Sequence, residues 1–95
     1  MPSFRQKPTG FEQITSLSSA TGLTAAQTAK ATCVVLCARD QAVNYRDDGT
    51  DPTATIGITL AVGVPFVYDG DLSAIKFIQA TATAKLDVAY YLVTG

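Results

Sequence analysis

The chain has 95 residues, of which 47% are hydrophobic and 16% are charged, and its formal net charge is −1 with no histidine. This length predicts one domain with a modest core, and the excess of apolar over charged residues is the opposite of the balance in disordered chains. The lack of a basic excess excludes the electrostatic footprint of a nucleic-acid-binding protein. No apolar run approaches the roughly 18 residues of a membrane-spanning helix, and the N-terminus lacks the apolar segment of a secretory signal peptide.

The first ten residues are predicted to form an extended arm outside the domain. Two prolines and a glycine interrupt regular structure there, and Arg5 and Lys7 face no acidic residue within the segment. Such a segment is either disordered or lies along the surface of a partner. The predicted organisation is therefore an N-terminal arm over 1–10 and a single β-sandwich domain over 11–95.

The rest of the chain shows the alternation typical of short β-strands. The predicted strands are 11–18, 31–38, 41–46, 54–60, 64–69, 74–82 and 85–93. The segment 19–30 is predicted to be a loop with at most one helical turn, which Thr24 could cap. Turn signals every 8 to 12 residues or so favour an all-β fold, an antiparallel sandwich or jelly-roll-like barrel of about seven strands. If the last strand lies at a sheet edge, it could pair with a neighbouring chain.

Both cysteines, Cys33 and Cys37, lie in the predicted strand 31–38. Residues four apart on a strand are separated by about 13 Å, whereas a disulfide needs Cα atoms within about 7 Å. The two thiols therefore cannot pair with each other. With no histidine and no second cysteine pair, we expect no metal ligand here, but two small hydrophobic side chains in a reduced compartment.

The acidic stretch "RDDGTDP", residues 46–52, admits three interpretations. Its aspartates lack the alternate spacing and the final glutamate of an EF-hand calcium loop. An Asp-Gly step between two strands favours a tight turn, because glycine tolerates positive φ. The favoured interpretation is a hairpin with strands 41–46 and 54–60 around a tip at 47–53. A weak cation site and a tip that contacts another protein are the alternatives.

The return strand of this hairpin is expected to be anchored by Ile56, Ile58 and Leu60, which share one face in the predicted pattern. Arg46 ends the outgoing strand, and it is expected to pair with an aspartate of the tip or with an acid of a partner.

A second Asp-Gly turn, "YDGDL" at 68–72, likewise follows a predicted strand and leads into the next element. If the two turns lie at the same end of the sandwich, their carboxylates could share a calcium ion. A melting temperature that does not depend on calcium in a chelator titration would remove that alternative.

No catalytic arrangement is indicated by the sequence. Without histidine, Ser-His and Cys-His mechanisms are impossible, and the scattered glycines form no phosphate loop. We therefore expect no enzyme activity, no catalytic residue, no cofactor and no bound metal. Most aromatic side chains are expected in the core; Tyr91 is the exception, because it lies opposite in phase to Tyr90 and is expected to be exposed or at an interface.

Three segments resemble small virion proteins of tailed bacteriophages. "QAVNYRDDGTDPTATIG" at 41–57 is similar to a strand that runs into an Arg-Asp-Asp-Gly-Thr turn, and "YDGDLSAIKFIQATATAKLDVAYY" at 68–91 looks like the matching C-terminal part. "TGLTAA" at 21–26 fits the same layout. The resemblance covers roughly 11–91 and implies a β-sandwich structural subunit without catalytic residues, assembled in the bacterial cytoplasm.

The resemblance implies a head decoration or cement protein of the virion, a homo-oligomer that binds the major capsid protein or other virion proteins in many copies. A neck, tail or fibre component is the alternative, as is a small carbohydrate-binding attachment module that uses exposed aromatic residues. No nucleic-acid or membrane partner is expected. The residues expected to contact a partner are Phe4, Arg5 and Lys7 in the arm, Arg46, Asp47, Asp48 and Asp51 at the tip, and Tyr91.

Overall fold

The computed structural model describes residues 5–94, and the side chains of 7–93. Over these residues the chain forms two four-stranded antiparallel sheets with almost no helix, which confirms the predicted all-β sandwich. The narrower jelly-roll description stays a prediction. The elements are β1 (Arg5–Ile14), β2 (Thr21–Gly22), α1 (Ala25–Thr28), β3 (Cys33–Arg39), β4 (Val43–Arg46), β5 (Ile58–Leu60), β6 (Phe66–Tyr68), β7 (Lys76–Gln79) and β8 (Lys85–Thr94).

The strand order defines two edges in each sheet. The front sheet has the order β1-β8-β3-β6, and the back sheet has the order β2-β7-β4-β5. The last strand, β8, is paired on both sides, so it is not available to a neighbouring chain in the way the sequence allowed. Among residues 5–94, the edge strands are β1 and β6 in the front sheet and β2 and β5 in the back sheet.

The core lies between the two sheets and follows the alternation of the strands. Leu36 in β3 and Val88 in β8 are fully buried from the front sheet, and Phe77 in β7 is fully buried from the back sheet. Tyr45 in β4 reaches across the core, with its ring centroid 5.7 Å from that of Phe66 in β6. Burying each large apolar side chain stabilises the fold by about 1.5–3 kcal/mol.

The predicted boundary at residue 10 does not interrupt the first strand. β1 runs through it, and residues 5–10 pair with the end of β8, from Arg5 opposite Thr94 to Gly10 opposite Tyr90. A register shift between Pro8 and Gly10 forms a bulge, and an edge strand tolerates the missing N–H of the proline. The described part of the predicted arm is therefore an edge strand of the front sheet, and residues 1–4 lie outside the described residues.

The segment after β1 contains the predicted single helical turn. β1 ends at Ile14 rather than at residue 18, although Leu17 still enters the core. Thr24 precedes α1 at the N-cap position, but its hydroxyl does not cap the helix. Instead it donates a 2.7 Å hydrogen bond to Glu12 of β1, which corrects the predicted capping role.

The cysteines lie in one extended strand, as predicted. Cys33 is buried and Cys37 is half-buried in β3, and their spacing along the strand rules out a disulfide between them. Burial raises the pKa of the Cys33 thiol, and the charge of Asp69 raises it further.

The predicted hairpin forms, but its return strand is shorter than expected. β4 pairs with β5 in antiparallel register, and the connection between them spans 47–57. Of the three predicted anchors, Leu60 is buried, whereas Ile56 is 57% exposed and Ile58 is 59% exposed. The expectation for both isoleucines was wrong because Ile56 belongs to the loop and Ile58 lies on an edge strand with no neighbour to cover it.

Candidate functional site at the hairpin tip

A buried amide holds the long loop of the hairpin in place. Asn44 is only 4% exposed, and its side chain lies on the outer face of the back sheet, opposite in phase to Tyr45. Its Nδ2 donates to the carbonyl oxygens of Thr53 at 3.1 Å and Ala54 at 3.0 Å, while its Oδ1 accepts a 2.8 Å bond from Thr59. Because a buried amide needs these partners, the loop is folded back over the sheet.

The loop closes with a tight turn before β5. The Thr53 amide donates to the Ile56 carbonyl at 2.9 Å, and the Ile56 amide donates to the Thr53 hydroxyl at 2.9 Å. Gly57 has φ +146, and a Cβ at this position would lie 3.1 Å from the carbonyl oxygen of Tyr45. Glycine is therefore required where the loop meets β4.

Arg46 pairs with one aspartate of the tip, as expected. Its guanidinium donates two bonds to Asp48, from Nε to Oδ1 at 3.1 Å and from Nη2 to Oδ2 at 2.5 Å. The bonds from Arg46 hold the pKa of Asp48 below its usual range, and the Thr50 amide adds to this effect. The pair is thus a planar two-bond contact with a fixed orientation.

Asp47 joins the tip to the other sheet. The hydroxyl of Tyr68, at the end of β6, donates a 2.7 Å hydrogen bond to Asp47 Oδ2. The same hydroxyl lies 3.4 Å from the carbonyl oxygen of Asp71 in the second Asp-Gly turn. The two acidic turns therefore lie at the same end of the sandwich, which is the condition that the shared calcium site required.

The carboxylates of these turns contact side chains and amides of this chain. Asp51 lies 3.3 Å from the ammonium of Lys76, and Asp71 accepts bonds from the amide and hydroxyl of Ser73. In the part of the chain that the structure describes, no group of three or more His, Cys, Asp or Glu side chains is arranged to hold a metal ion. The carboxylates are not gathered into the shared calcium site considered for them.

A groove lies beside the tip. Tyr45 and Gly57 line it together with the Arg46–Asp48 pair and the exposed Ile56 and Ile58, and its volume is about 340 Å³. The lining of the groove combines an ion pair with apolar side chains. This arrangement suits a protein surface that presents both an apolar side chain and a polar group.

A second depression lies beside the second acidic turn. It has a volume of about 470 Å³ and is bounded by the end of α1 with the residues that follow it, 28–32, and by 70–73. Its lining consists mainly of small and polar residues, without a charged pair or an aromatic floor.

The other predicted contact residues lie away from the tip. Lys7 is exposed on β1, opposite Leu92, and Tyr91 is half-buried on β8 with its phase opposite to that of the buried Tyr90. Phe4 lies outside the described residues, and Arg5 is described in its backbone alone. The structure therefore brings Arg46, Asp47, Asp48 and Asp51 together but does not bring Lys7 or Tyr91 to them.

The sequence reasoning missed Asn44, Tyr68 and the exposure of the two isoleucines. One signal was available: a glycine inside an alternating pattern, here Gly57, often marks a close backbone approach rather than a continuous strand. The partnership of Asp47 with Tyr68 had no local signal, because it depends on how the two sheets pack.

No family model, curated protein or solved structure matches the chain. Within residues 5–94, no helix has both the length and the apolar character needed to cross a membrane.

Proposed function

We propose that this protein is a structural component of a tailed-bacteriophage virion, a head decoration protein that adheres in many copies to the major capsid protein. One observation carries the proposal. Among the described side chains, seven large apolar ones are well exposed, and four of these lie within 56–64: Ile56, Ile58, Val62 and Val64. This stretch lies inside 54–68, which holds no charged residue.

An exposed apolar surface bordered by charges is typical of a binding site between proteins. Ile56 and Ile58 form the apolar part of the groove, and the Arg46–Asp48 pair forms part of the same lining. The sequence resemblance over 11–91 supports the same type of function, because it implies a structural subunit that binds other virion proteins.

In adhesion of this type, the binding free energies of many small contacts add up. Each groove and its border offer only a small contact, well below the roughly 800 Å² per partner of a standard stable interface. Many copies on one capsid, each contacting more than one capsid subunit, would together resist expansion of the shell. A neck or tail component would use the same contact in fewer copies.

Co-sedimentation with purified phage particles that lack this protein tests the proposal. We expect the wild type to bind, and Ile58→Asp to lose binding because it places a charge in the apolar wall of the groove. Thr81→Asp, an exposed position in a loop before β8, is the matched control and should bind normally. Equal binding by Ile58→Asp and the wild type would overturn the proposal.

The number of bound copies separates the two virion positions. A complement that scales with the number of capsid subunits supports decoration, and a single ring at one vertex supports the neck or tail.

A further inference from the structure

We propose that the Asp69–Gly70 step of the second acidic turn converts spontaneously to isoaspartate in the folded protein, and that Arg46 protects the equivalent Asp48–Gly49 step. These are the two Asp-Gly steps of the sequence. The inference goes beyond the proposed function because it concerns a covalent change within the chain that requires no partner.

The reaction joins the side-chain carboxyl to the next backbone amide. The Gly70 nitrogen attacks Cγ of Asp69, a C–N bond forms, and the carboxyl hydroxyl leaves with the amide proton as water, which gives a cyclic succinimide. A second water molecule opens the ring at the former backbone carbonyl, so that the main chain runs through Cγ and a carboxylate remains on Cα. One water is lost and one is gained, so no other reactant is needed. Glycine favours ring closure because no Cβ obstructs its nitrogen.

The Asp69 carboxyl is unrestrained within the described part of the chain. Asp69 is exposed, and its side chain makes no hydrogen bond or ion pair with a described residue. The Gly70 amide likewise donates no backbone hydrogen bond to a described residue. Gly70 also lines the second depression, of about 470 Å³, so there is space for water and for the backbone movement that ring closure needs. Both reacting groups are therefore accessible.

The first acidic turn contains the same dipeptide with its carboxyl restrained. Asp48 accepts two bonds from the Arg46 guanidinium and a 3.3 Å bond from the Thr50 amide. These bonds fix the carboxylate and lower the pKa of Asp48, with Arg46 as the main cause. An ionised carboxylate resists attack because it has no neutral leaving group. The two steps thus share a sequence and differ in the partners of the carboxyl.

Conversion at Asp69 would disturb the contact that joins the tip to the front sheet. A Cβ on Gly70 would overlap the Tyr68 hydroxyl, so this hydroxyl packs directly against Gly70. The same hydroxyl donates a 2.7 Å bond to Asp47. Isoaspartate adds one methylene to the main chain before Gly70, so Gly70 cannot keep its place against the hydroxyl while β6 keeps its own. The modification should therefore weaken the bond between Tyr68 and Asp47.

Ageing of the purified protein at neutral pH, in native buffer and in guanidinium chloride, tests the proposal. Isoaspartyl methyltransferase measures the total isoaspartate, and electron-transfer mass spectrometry of peptides assigns it to a residue. In the native protein we expect the isoaspartate fraction at Asp69 to exceed that at Asp48 several-fold. In the denatured chain we expect the two steps to convert at similar rates, because unfolding removes both turns. Absence of native isoaspartate at Asp69, or equal native fractions at the two steps, would overturn the proposal.

Variants of the charged partners test the protection. Arg46→Gln should increase the native isoaspartate fraction at Asp48 several-fold and leave that at Asp69 unchanged. Lys76→Gln removes the partner of Asp51 instead, and as the matched control it should change neither fraction. Far-ultraviolet circular dichroism shows that each variant is folded. An Asp48 that stays as protected in Arg46→Gln as in the wild type would overturn the assigned role of Arg46.

The modified form, separated by ion-exchange chromatography, provides a second readout. It should unfold at a lower urea concentration than the unmodified protein. The difference should shrink in Tyr68→Phe, which already lacks the bond to Asp47. Equal unfolding midpoints of the modified and unmodified wild type would overturn the predicted effect on the tip.

Discussion

Tyr68 and Asp47 lie 21 positions apart in the chain and are joined by a 2.7 Å hydrogen bond. Tyr68 ends β6 in the front sheet, and Asp47 follows β4 in the back sheet. The bond therefore ties the hairpin tip to the opposite layer of the sandwich, at the end where both acidic turns lie. The position of the tip depends on packing between the sheets as well as on its own turn chemistry.

Replacing Tyr68 with phenylalanine should destabilise the protein modestly. The variant keeps the buried ring and removes the bond to a charged acceptor, so we expect the free energy of unfolding to fall by about 1–2 kcal/mol. Urea denaturation measures this change. Tyr91→Phe is the control, since no side-chain hydrogen bond of Tyr91 is part of the tip; equal losses in the two variants would show that the Asp47 bond contributes nothing specific.

The same bond should make stability depend on pH in the alkaline range. Burial raises the pKa of Tyr68 above its ordinary value, and the hydrogen bond to Asp47 raises it further. Because the folded-state pKa exceeds the unfolded one, the resulting stabilisation is complete below about pH 10 and is lost as pH rises through the folded-state pKa. The wild type should therefore lose more stability above pH 10 than Tyr68→Phe does. Denaturation at a series of pH values measures both slopes, and parallel slopes would contradict the assignment.

Asn44 should be the most sensitive polar position of the hairpin. Asn44→Ala removes three hydrogen bonds and leaves the Thr53 and Ala54 carbonyls without this donor, so we expect a loss of about 2–4 kcal/mol. Amide hydrogen exchange should also accelerate across 50–57, because the loop loses its attachment to the sheet. Thr59→Val removes only one of the three bonds and is the matched control. Thr59→Val should lower the free energy of unfolding by less and leave amide exchange across 50–57 nearly unchanged. Loop amides that stay protected in Asn44→Ala would contradict the role of Asn44 in holding the loop.

The sequence predicted the sandwich because its signals were local. Alternation in 85–93 matches β8, in which Leu86, Val88 and Tyr90 all enter the core. The Asp-Gly step correctly located the turn of the hairpin, since the need for positive φ at Gly49 is a property of the turn itself.

What the sequence could not supply was the lateral order of the strands. The alternation of Ile56, Ile58 and Leu60 indicates a common face but not whether a neighbouring strand covers it, and β5 proved to be an edge. The unknown strand order also explains why residues 5–10 were expected to lie outside the domain. Prolines argue against a central strand, but an edge strand accepts them, so 5–10 could pair with β8. Long-range partners such as Asp47 and Tyr68 depend on that same order.

The Arg46–Asp48 pair should be visible in a carboxyl titration. The bonds from Arg46 lower the pKa of Asp48, and the Thr50 amide contributes. Carbon-detected NMR should find Asp48 titrating below the ordinary aspartate value of about 3.9, and Arg46→Gln should move it upward. Because the Asp48 side chain is 54% exposed and the Arg46 side chain is 29% exposed, solvent screens the pair and it should contribute little to overall stability. Its part of that stability should be lost as pH falls through the lowered pKa of Asp48. An unchanged Asp48 titration in Arg46→Gln would assign the shift to the backbone instead.

Alanine substitutions at two glycines of the hairpin should distinguish the cost of backbone strain from the cost of a steric clash. Gly49 has φ +87 with no atom within 4 Å of a built Cβ, so Gly49→Ala should cost about 1–2 kcal/mol through backbone strain alone. Gly57 also has a positive φ, but its Cβ would lie 3.1 Å from the Tyr45 carbonyl and 3.2 Å from the Asn44 Cβ. Gly57→Ala should therefore cost about 3 kcal/mol or more, since the loop must shift away from β4 and weaken the bonds of Asn44. Thermal and urea denaturation of both variants provide the comparison.

Amide hydrogen exchange gives a second readout. Faster exchange of the loop amides in Gly57→Ala, but not in Gly49→Ala, would identify the displaced segment. Equal losses in the free energy of unfolding would mean that the contact with β4 relaxes freely.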